Sequence, residues 1–295
     1  MLFNSVTYLL FLPIVFFFYW SRGTYRWQNA VLLLSSMVFY GWWSVPFLCL
    51  MLITCLCNYL CVRMMYCTER HKLWMISALV LNFSILGVFK YFNFFADALS
   101  DLLTVVGMRA DMPTLNVILP VGISFYTFQL SAYVIDVYRT VKGNGATCKY
   151  EVDILSFMTF ITFFPQLVAG PIERADNLLR QMQQRRRFDE NTATDGMRLL
   201  LWGLMKKMLI ADKCAEQVDY IFANYSSLSA GTLWLGALYF TFQIYGDFSG
   251  YSDMAIGSAE LFGIRLTRNF NRPYFSSSMQ DFWRRWHMTL MSWFK

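Results

Sequence analysis

The chain has 295 residues, of which 57% are hydrophobic, 19% aromatic and only 15% charged. This composition excludes an ordinary soluble globular protein, in which about a quarter of the residues are charged. The net charge of +6 does not indicate a nucleic-acid-binding protein, because the basic residues cluster between apolar runs, where membrane topology explains them.

Long uncharged runs recur along the chain and predict membrane-spanning helices. A span needs about 20 mostly apolar residues, and several of the runs reach that length. The runs cover residues 2–21, 27–62, 73–89, 112–135, 154–172 and 220–246. The sequence therefore predicts an all-α fold: a polytopic transmembrane helical bundle that forms one integral-membrane domain over residues 1–295 and lies in the lipid bilayer.

The first run is predicted to be a retained span. It lacks the basic leading region and the small-residue cleavage site of a signal peptide. Tyr19 and Trp20 end the run as interfacial aromatic residues do, and basic residues follow at once. In the next run, the uncharged stretch "GWWSVP" (41–46) contains a proline and is predicted to separate two helices.

The distribution of Lys and Arg predicts the orientation. Basic residues follow the first span, the 27–62 run and the 112–135 run, whereas the loop at 96–111 has one Arg and three Asp. Basic loops stay on the cytoplasmic side. We therefore expect the N-terminus outside and five spans before residue 139, in a multi-pass protein of the cell inner membrane.

Residues 154–172 are predicted to form a re-entrant element. Pro165, Gly170 and Pro171 interrupt this run, and five arginines follow it. A full crossing would place those arginines outside, whereas a segment that dips into the membrane and returns keeps them cytoplasmic. After it, 197–213 has the pattern of a membrane-surface helix with Lys206 and Lys207 in its middle, and a further span is expected at about 230–246.

The seven cysteines do not predict a metal or disulfide site. Most lie inside apolar runs, where a thiol behaves as a small hydrophobic group. Cys61, Cys67 and His71 are close in sequence, but no second pair of ligands follows them. We therefore expect no metal, and a surface role for His71.

Two carboxylates stand directly after the span at 230–246. Asp247 and Asp253 lie between apolar flanks, close to Gly246 and Gly250. Carboxylates at membrane depth are costly and are typical of a functional path or of a paired structural site. The alternative is an interfacial turn at the glycines, where the Asp247 side chain caps a helix. The sequence leaves both interpretations open.

His287 stands in an aromatic and cationic stretch near the end of the sequence. In a continuous helix over 279–294, Trp283 and Arg284 would share its face. Arg284 and Arg285 would need an anion or a carbonyl as partner. Burial beside these cations would lower the pKa of the imidazole and leave a neutral base. On residue types alone, a structural histidine is the commoner alternative to a catalytic one.

Four long motifs follow one another along the chain. They are "LPVGISFYTFQLSAYVIDVYR" (119–139), "FFPQLVAGPIERADNLLRQ" (163–181), "FQIYGDFSGYSDMAIG" (242–257) and "NFNRPYFSSSMQDFWRRWHMTL" (269–290). Together with the opening "MLFNSVTYLLFLPIVFFFYW", they resemble the membrane-bound O-acyltransferase family, and within it the bacterial alginate O-acetylase branch.

The resemblance implies a many-helix bundle around a tunnel, with re-entrant pieces on the cytoplasmic side. An acyl donor, acetyl-CoA or another acyl thioester, enters from the cytoplasm as a substrate, and no cofactor is bound. His287 is implied to be the general base that takes the proton of the acceptor hydroxyl. The residues implied to shape the tunnel or to hold the substrates are Trp283, Arg284, Arg285, Trp286, Asn271, Arg272, Pro273, Asp247 and Asp253.

The implied reaction is acetyl transfer to hydroxyls of a cell-surface or secreted polysaccharide such as alginate, with a periplasmic or extracellular acyltransferase as an expected partner. D-alanyl transfer and peptidoglycan acylation remain alternatives within the same family. Family members usually continue well past the Trp-His pair and carry a second functional histidine there. We therefore expect the chain to be truncated, and a non-catalytic membrane scaffold or permeation protein remains a further alternative.

Overall fold

The computed structural model describes residues 1–105, 119–144, 153–168 and 170–294. This part of the chain is mostly helical and contains no strand, so the all-α class is confirmed for it. The chain divides into two compact units, Met1–Ser44 with Leu155–Lys295, and Val45–Ile154. That residues 1–295 form one membrane domain stays a prediction.

Several helices overlap the apolar runs. Before residue 145 they are α1 (Val6–Trp20), α2 (Tyr25–Gly41), α3 (Val45–Cys67), α4 (His71–Leu86), α5 (Phe92–Val105) and α6 (Ile123–Asn144). After residue 153 they are α7 (Ile154–Thr162), α8 (Phe164–Leu167), α9 (Leu178–Met182), α10 (Glu190–Met205), α11 (Asp212–Ala223), α12 (Ala230–Leu261), α13 (Met279–Arg285) and α14 (Met288–Trp293). The predicted break at "GWWSVP" is confirmed, because α2 ends at Gly41 and α3 begins at Val45.

Two helices of the described residues are long and apolar enough to cross a membrane. One is Val45–Cys67, and the other is His71–Val105, in which a π-helical turn, Gly87–Tyr91, joins α4 to α5 without a break. A third apolar helix, Val6–Trp20, is shorter. The loop predicted at 96–111 is therefore wrong for 96–105, which continue a helix because Asp97 and Asp101 fit one polar face of it. Residues 106–118 and 145–152 lie outside the described part.

Buried amides join the helices of the second unit. Asn58 on α3 and Asn82 on α4 donate to each other's side-chain oxygens at 2.7 and 3.0 Å. Asn82 also donates to the hydroxyl of Ser131 on α6 at 3.4 Å. Inside a membrane such side-chain hydrogen bonds hold helices together where the hydrophobic effect contributes little.

An aromatic cluster forms the core of the first unit. The short helix α8 presents Phe164 to three rings, with centroid distances of 5.4 Å to Phe11, 5.6 Å to Phe39 and 5.9 Å to Phe262. The chain bends at Phe163, between α7 and α8, one residue before the Phe164-Pro165 pair. The break between α7 and α8 agrees with the prediction that Pro165 interrupts the 154–172 run. That this segment is re-entrant in a membrane stays a prediction.

Helices α10 and α12 pack with their backbones in direct contact. A Cβ atom at Gly203 would lie 2.6 Å from the carbonyl oxygen of Gly250, and one at Gly257 would lie 2.4 Å from that of Gly196. Contacts this short leave no room for a side chain. The interpretation of Gly246 and Gly250 as turn residues is therefore wrong: both lie inside α12, and close helix packing requires Gly250.

Candidate active site

His287 lies at a break between two short helices. Ser278 caps the start of α13 by accepting a hydrogen bond from the Asp281 amide at 3.1 Å, and α13 ends at Arg285. Trp286 is extended, and His287 has φ 43° and ψ 55°, the left-handed conformation. The continuous helix predicted over 279–294 is therefore wrong, and so is the shared face of Trp283, Arg284 and His287.

The His287 side chain is 9% exposed, and its ring packs edge to face on Phe248, with centroids 4.8 Å apart. Its Nε2 atom is buried and has no hydrogen-bond partner within the described residues. Burial lowers the pKa of His287 to about 4. The imidazole is therefore neutral near pH 7 and can accept a proton. A neutral base was predicted from burial beside cations, and burial is the cause that lowers this pKa.

Aromatic rings surround the residue before the histidine. The Trp286 ring stacks on Phe282 at 5.5 Å and lies 5.1 Å from Phe270 and 6.2 Å from Tyr245, between ring centroids. The Tyr274 hydroxyl donates to the Thr241 carbonyl of α12 at 2.7 Å. Trp286 therefore anchors the break to α12 and to the 269–275 segment.

The remaining residues of "NRPY" (271–274) form a tight turn beside Trp286, and their place at the tunnel stays a prediction. Pro273 is buried and begins a single turn of 3₁₀-helix. Arg272 has φ 46°, and its side chain is exposed, like that of Asn271. The Asn271 amide donates to the Arg285 carbonyl at 3.0 Å.

The two arginines have different environments. Arg285 forms an ion pair with Asp281 at 2.9 Å, one helical turn away. Arg284 is exposed and lines a cavity of about 640 Å³. The other residues that line this cavity are Gln280, Trp283, Met288, Met291 and Ser292. A second cavity of about 370 Å³ shares Met288 and Ser292 with the first and extends to Glu173 and Thr289.

Asp247 and Asp253 are paired with lysines. The Lys206 ammonium lies 2.6 Å from the Asp253 carboxylate, and Lys207 bridges Asp247 at 2.7 Å and Asp212 at 2.8 Å. The lysines begin a π-helical turn, Lys206–Ala211, that joins α10 to α11. The helix-capping role of Asp247 is therefore wrong, because Asp247 lies inside α12. Of the alternatives for these carboxylates, the geometry favours the paired structural site, and a place in a tunnel stays a prediction.

We expect Lys206→Met to destabilise the folded protein by about 1–3 kcal/mol, because it leaves the partly buried Asp253 carboxylate without its partner. Lys213→Met is the matched control, since the Lys213–Glu216 pair is well exposed and should contribute less than about 1 kcal/mol. Thermal unfolding in detergent measures both. Equal losses for the two variants would show that the Lys206–Asp253 pair contributes no more than a surface pair.

Four residues that sequence reasoning missed support the site. Asn269, Ser252 and Thr289 form a hydrogen-bonded chain next to His287. Glu173 is 2% exposed and accepts hydrogen bonds from the Thr267 amide, from the Thr267 hydroxyl at 3.2 Å and from Asn177 at 2.6 Å. All four lie within the quoted motifs, but no local pattern could have identified their contacts, because some of their partners are 94 and 117 residues away in the chain.

A family model described as "MBOAT, membrane-bound O-acyltransferase family" matches residues 141–295. The chain belongs to the membrane-bound O-acyltransferase family. The recognition of this family from the four motifs is thereby confirmed. The family is membrane-bound, and this agrees with the two candidate spans.

Several curated proteins are similar to this chain, and two of the three described here match its whole length. It is 41% identical to the probable alginate O-acetylase AlgI of Pseudomonas aeruginosa, over 100% of this chain and 56% of that protein. It is 35% identical to a peptidoglycan O-acetyltransferase of Helicobacter pylori, over 100% of this chain and 60% of that protein. A teichoic acid D-alanyltransferase of Bacillus subtilis is 28% identical over 62% of this chain and 45% of its own length. The chain thus spans little more than half the length of the curated relatives that match it completely.

Proposed function

We propose that the protein is an integral-membrane O-acyltransferase that transfers acetyl groups to hydroxyls of a cell-surface or secreted polysaccharide. The observation that carries this proposal is the state of His287: a buried, neutral imidazole whose Nε2 atom has no partner within the described residues. Such a group is suited to accept the proton of an incoming hydroxyl. The identity to an alginate O-acetylase over the whole chain supports the choice of acetyl group and polysaccharide.

In the proposed reaction, His287 Nε2 takes the proton of the acceptor hydroxyl as its oxygen attacks the carbonyl carbon of an acyl thioester. A C–O bond forms, and the carbonyl becomes a tetrahedral oxyanion. Collapse of this intermediate breaks the C–S bond, and the imidazolium returns the proton to the leaving thiolate. The products are an acetyl ester and a free thiol, and the imidazole is regenerated.

The donor is proposed to be acetyl-CoA or another acyl thioester that arrives from the cytoplasm. The cavity lined by Trp283 and Arg284 has a volume of about 640 Å³, within the usual range for small-molecule sites. Its aromatic and thioether side chains suit an acyl thioester arm, and the exposed Arg284 suits an anionic group on the donor. Arg285 would act indirectly, since Asp281 already neutralises it.

The proposal includes a setting in the membrane. The chain is proposed to be a multi-pass protein of the inner membrane, with its N-terminus outside and a tunnel through a helical bundle. The acceptor is the polysaccharide itself or a periplasmic or extracellular acyltransferase partner that completes the transfer. The charge pattern of the sequence supports this orientation.

Membranes that contain the protein, incubated with radiolabelled acetyl-CoA and alginate, test this function. We expect label in the polysaccharide that hydroxylamine releases, as it releases an ester. Label in peptidoglycan instead would favour the reaction named for the Helicobacter relative, and D-alanyl transfer would favour that of the Bacillus relative. A scaffold or permeation protein would give no covalent product, and a permeation protein would move a labelled solute across sealed vesicles.

The pH dependence follows from the state of the base. The imidazole acts in its neutral form, and burial lowers the pKa of His287 to about 4. We therefore expect the ionisation of His287 to cause no change in kcat/KM near pH 7, and kcat/KM to fall about tenfold per pH unit below pH 4. An acid limb centred near pH 6.5, the ordinary value for histidine, would contradict a buried base.

Stability must be followed over the same range. The folded-state pKa of His287 lies below the unfolded value of about 6.5, so its contribution to stability is present above pH 6.5 and is lost as pH falls through 4. Thermal unfolding at each pH, with His287→Asn as the control, separates unfolding from protonation of the base.

A further inference from the structure

The left-handed turn at His287 is held by backbone hydrogen bonds on both sides. Before the turn, the Arg285 carbonyl accepts from the Asn271 amide at 3.0 Å, and after it the Met288 amide donates to the Asn269 carbonyl at 2.9 Å. Residues 269–271 therefore run beside residues 285–288 and fix both ends of the break. The helices α13 and α14 cannot merge into one helix while these two bonds persist.

Three polar side chains extend this connection into the core. The Thr289 hydroxyl donates to the Asn269 side-chain oxygen at 2.5 Å and accepts from the Ile172 amide at 3.1 Å. The Asn269 side-chain amide in turn donates to the Ser252 hydroxyl of α12 at 3.3 Å. Four separate parts of the chain thus meet at Thr289, two residues after the histidine: the segments around Ile172, Ser252, Asn269 and Thr289 itself. We call Ser252, Asn269 and Thr289 the hinge clamp.

The hinge clamp and the histidine ring rest on the same face of α12. Phe248, which packs on the His287 ring, and Ser252 are four residues apart on this helix and therefore project from the same side. A left-handed conformation is unfavourable for a residue other than glycine and persists only where its surroundings hold it. The clamp provides such surroundings at His287.

We propose that Ser252, Asn269 and Thr289 are positioning residues for the base: they hold the turn at His287 so that the imidazole stays where it accepts the proton. This inference rests on the proposed function. The three side chains are 1%, 1% and 4% exposed, and their hydrogen bonds join them to one another rather than to the His287 ring. Their effect on the reaction passes through the backbone of His287.

Thr289→Val tests the proposal, because it keeps the shape of the side chain and removes both hydrogen bonds of the hydroxyl. We expect kcat to fall about 10–100-fold, as for a catalytic group displaced by about 1 Å, while KM for the acyl donor changes less than about threefold. Thr289→Ser keeps the hydroxyl and should retain more than about half of kcat. Equal rates for the Val and Ser variants would overturn the proposal.

A double-mutant cycle separates positioning from a general loss of structure. If Thr289 acts through the histidine, Thr289→Val should cost almost nothing further in a His287→Asn background. An undiminished loss in that background would overturn the proposal. Should Thr289→Val fail to accumulate in membranes, Ser252→Ala replaces it, since this change removes a single acceptor and leaves the Thr289–Ile172 contact intact.

Chemical modification of the histidine gives a readout that needs no acyl transfer. Diethyl pyrocarbonate modifies accessible neutral imidazole, and peptide mass spectrometry reports His287 and His71 separately. We expect Thr289→Val to raise the rate at His287 about tenfold and to leave the rate at His71 unchanged. An unchanged rate at His287 would refute the clamp. If Thr289→Val raised the modification rate at His287 but the protein showed no acyl transfer, the hinge clamp would be supported. Only the proposed function would then be contradicted.

Discussion

His287→Asn is expected to lower kcat for acyl transfer about 10²–10⁴-fold, the usual contribution of a positioned general base. Asparagine adopts the left-handed conformation more readily than most residues, so the backbone at φ 43° should persist. Its amide cannot take up a proton. The substitution should therefore remove the general base while the left-handed turn is kept. Acyl transfer in membranes with matched protein levels measures the effect, and His287→Ala should lose at least as much.

The second histidine of the chain is the control. His71 at the start of α4 donates from Nδ1 to the Met65 carbonyl at 2.6 Å and stands in the other compact unit. His71→Asn should leave kcat within about twofold of the unmodified protein, as expected for a residue outside the catalytic machinery. If His287→Asn kept a third of the rate or more, His287 would not be the base.

Glu173→Leu is expected to destabilise the protein by about 3 kcal/mol. The change removes the buried carboxylate that accepts the part-buried hydrogen bonds of the Thr267 amide and of Asn177, and leaving such donors unsatisfied costs about 1–3 kcal/mol. For a chain of this size the midpoint of thermal unfolding should fall by about 6–12 °C. Fluorescence-detected unfolding in detergent measures the shift.

Two variants make the Glu173 result specific. Glu173→Gln keeps one carbonyl oxygen for the Thr267 amide and should lose about half as much stability. Asp176→Asn, three residues further on, disturbs an exposed ion pair with Arg180 and should cost less than about 1 kcal/mol. A loss for Asp176→Asn as large as that for Glu173→Leu would show that the whole segment, rather than the buried carboxylate, sets the stability.

The fold class was predictable because its signals are local. Uncharged runs and the proline of "GWWSVP" mark where helices begin and end, and α2 and α3 are separated at that point. The family was predictable because long motifs stand in order along the sequence. The extension of α5 over 96–105 was missed, because aspartates that suggest a loop by their charge also fit the polar face of a helix.

The geometry of the site was not predictable, because distant partners determine it. Residues 279–294 contain no glycine or proline, and their local preferences favour one continuous helix. The chain breaks at His287, where backbone hydrogen bonds join Arg285 to Asn271 and Met288 to Asn269, 14 and 19 residues apart in sequence. The role of Asp247 stayed open between two interpretations for the same reason, since its partner Lys207 stands 40 residues before it. Interactions of this range leave no periodic trace in a sequence.

The direct contact between α10 and α12 has a consequence for motion. Where Gly203 meets Gly250 and Gly196 meets Gly257, backbone touches backbone, and no side chain lies between the helices that could change its rotamer. The two helices therefore cannot slide by a fraction of a turn or admit a lipid chain between them. Helix α12 is therefore a rigid element that holds Tyr245, Phe248 and Ser252 at fixed positions along the site. In the proposed reaction, substrates of different length would then be accommodated by α13, α14 and the loops around them, and not by this pair of helices.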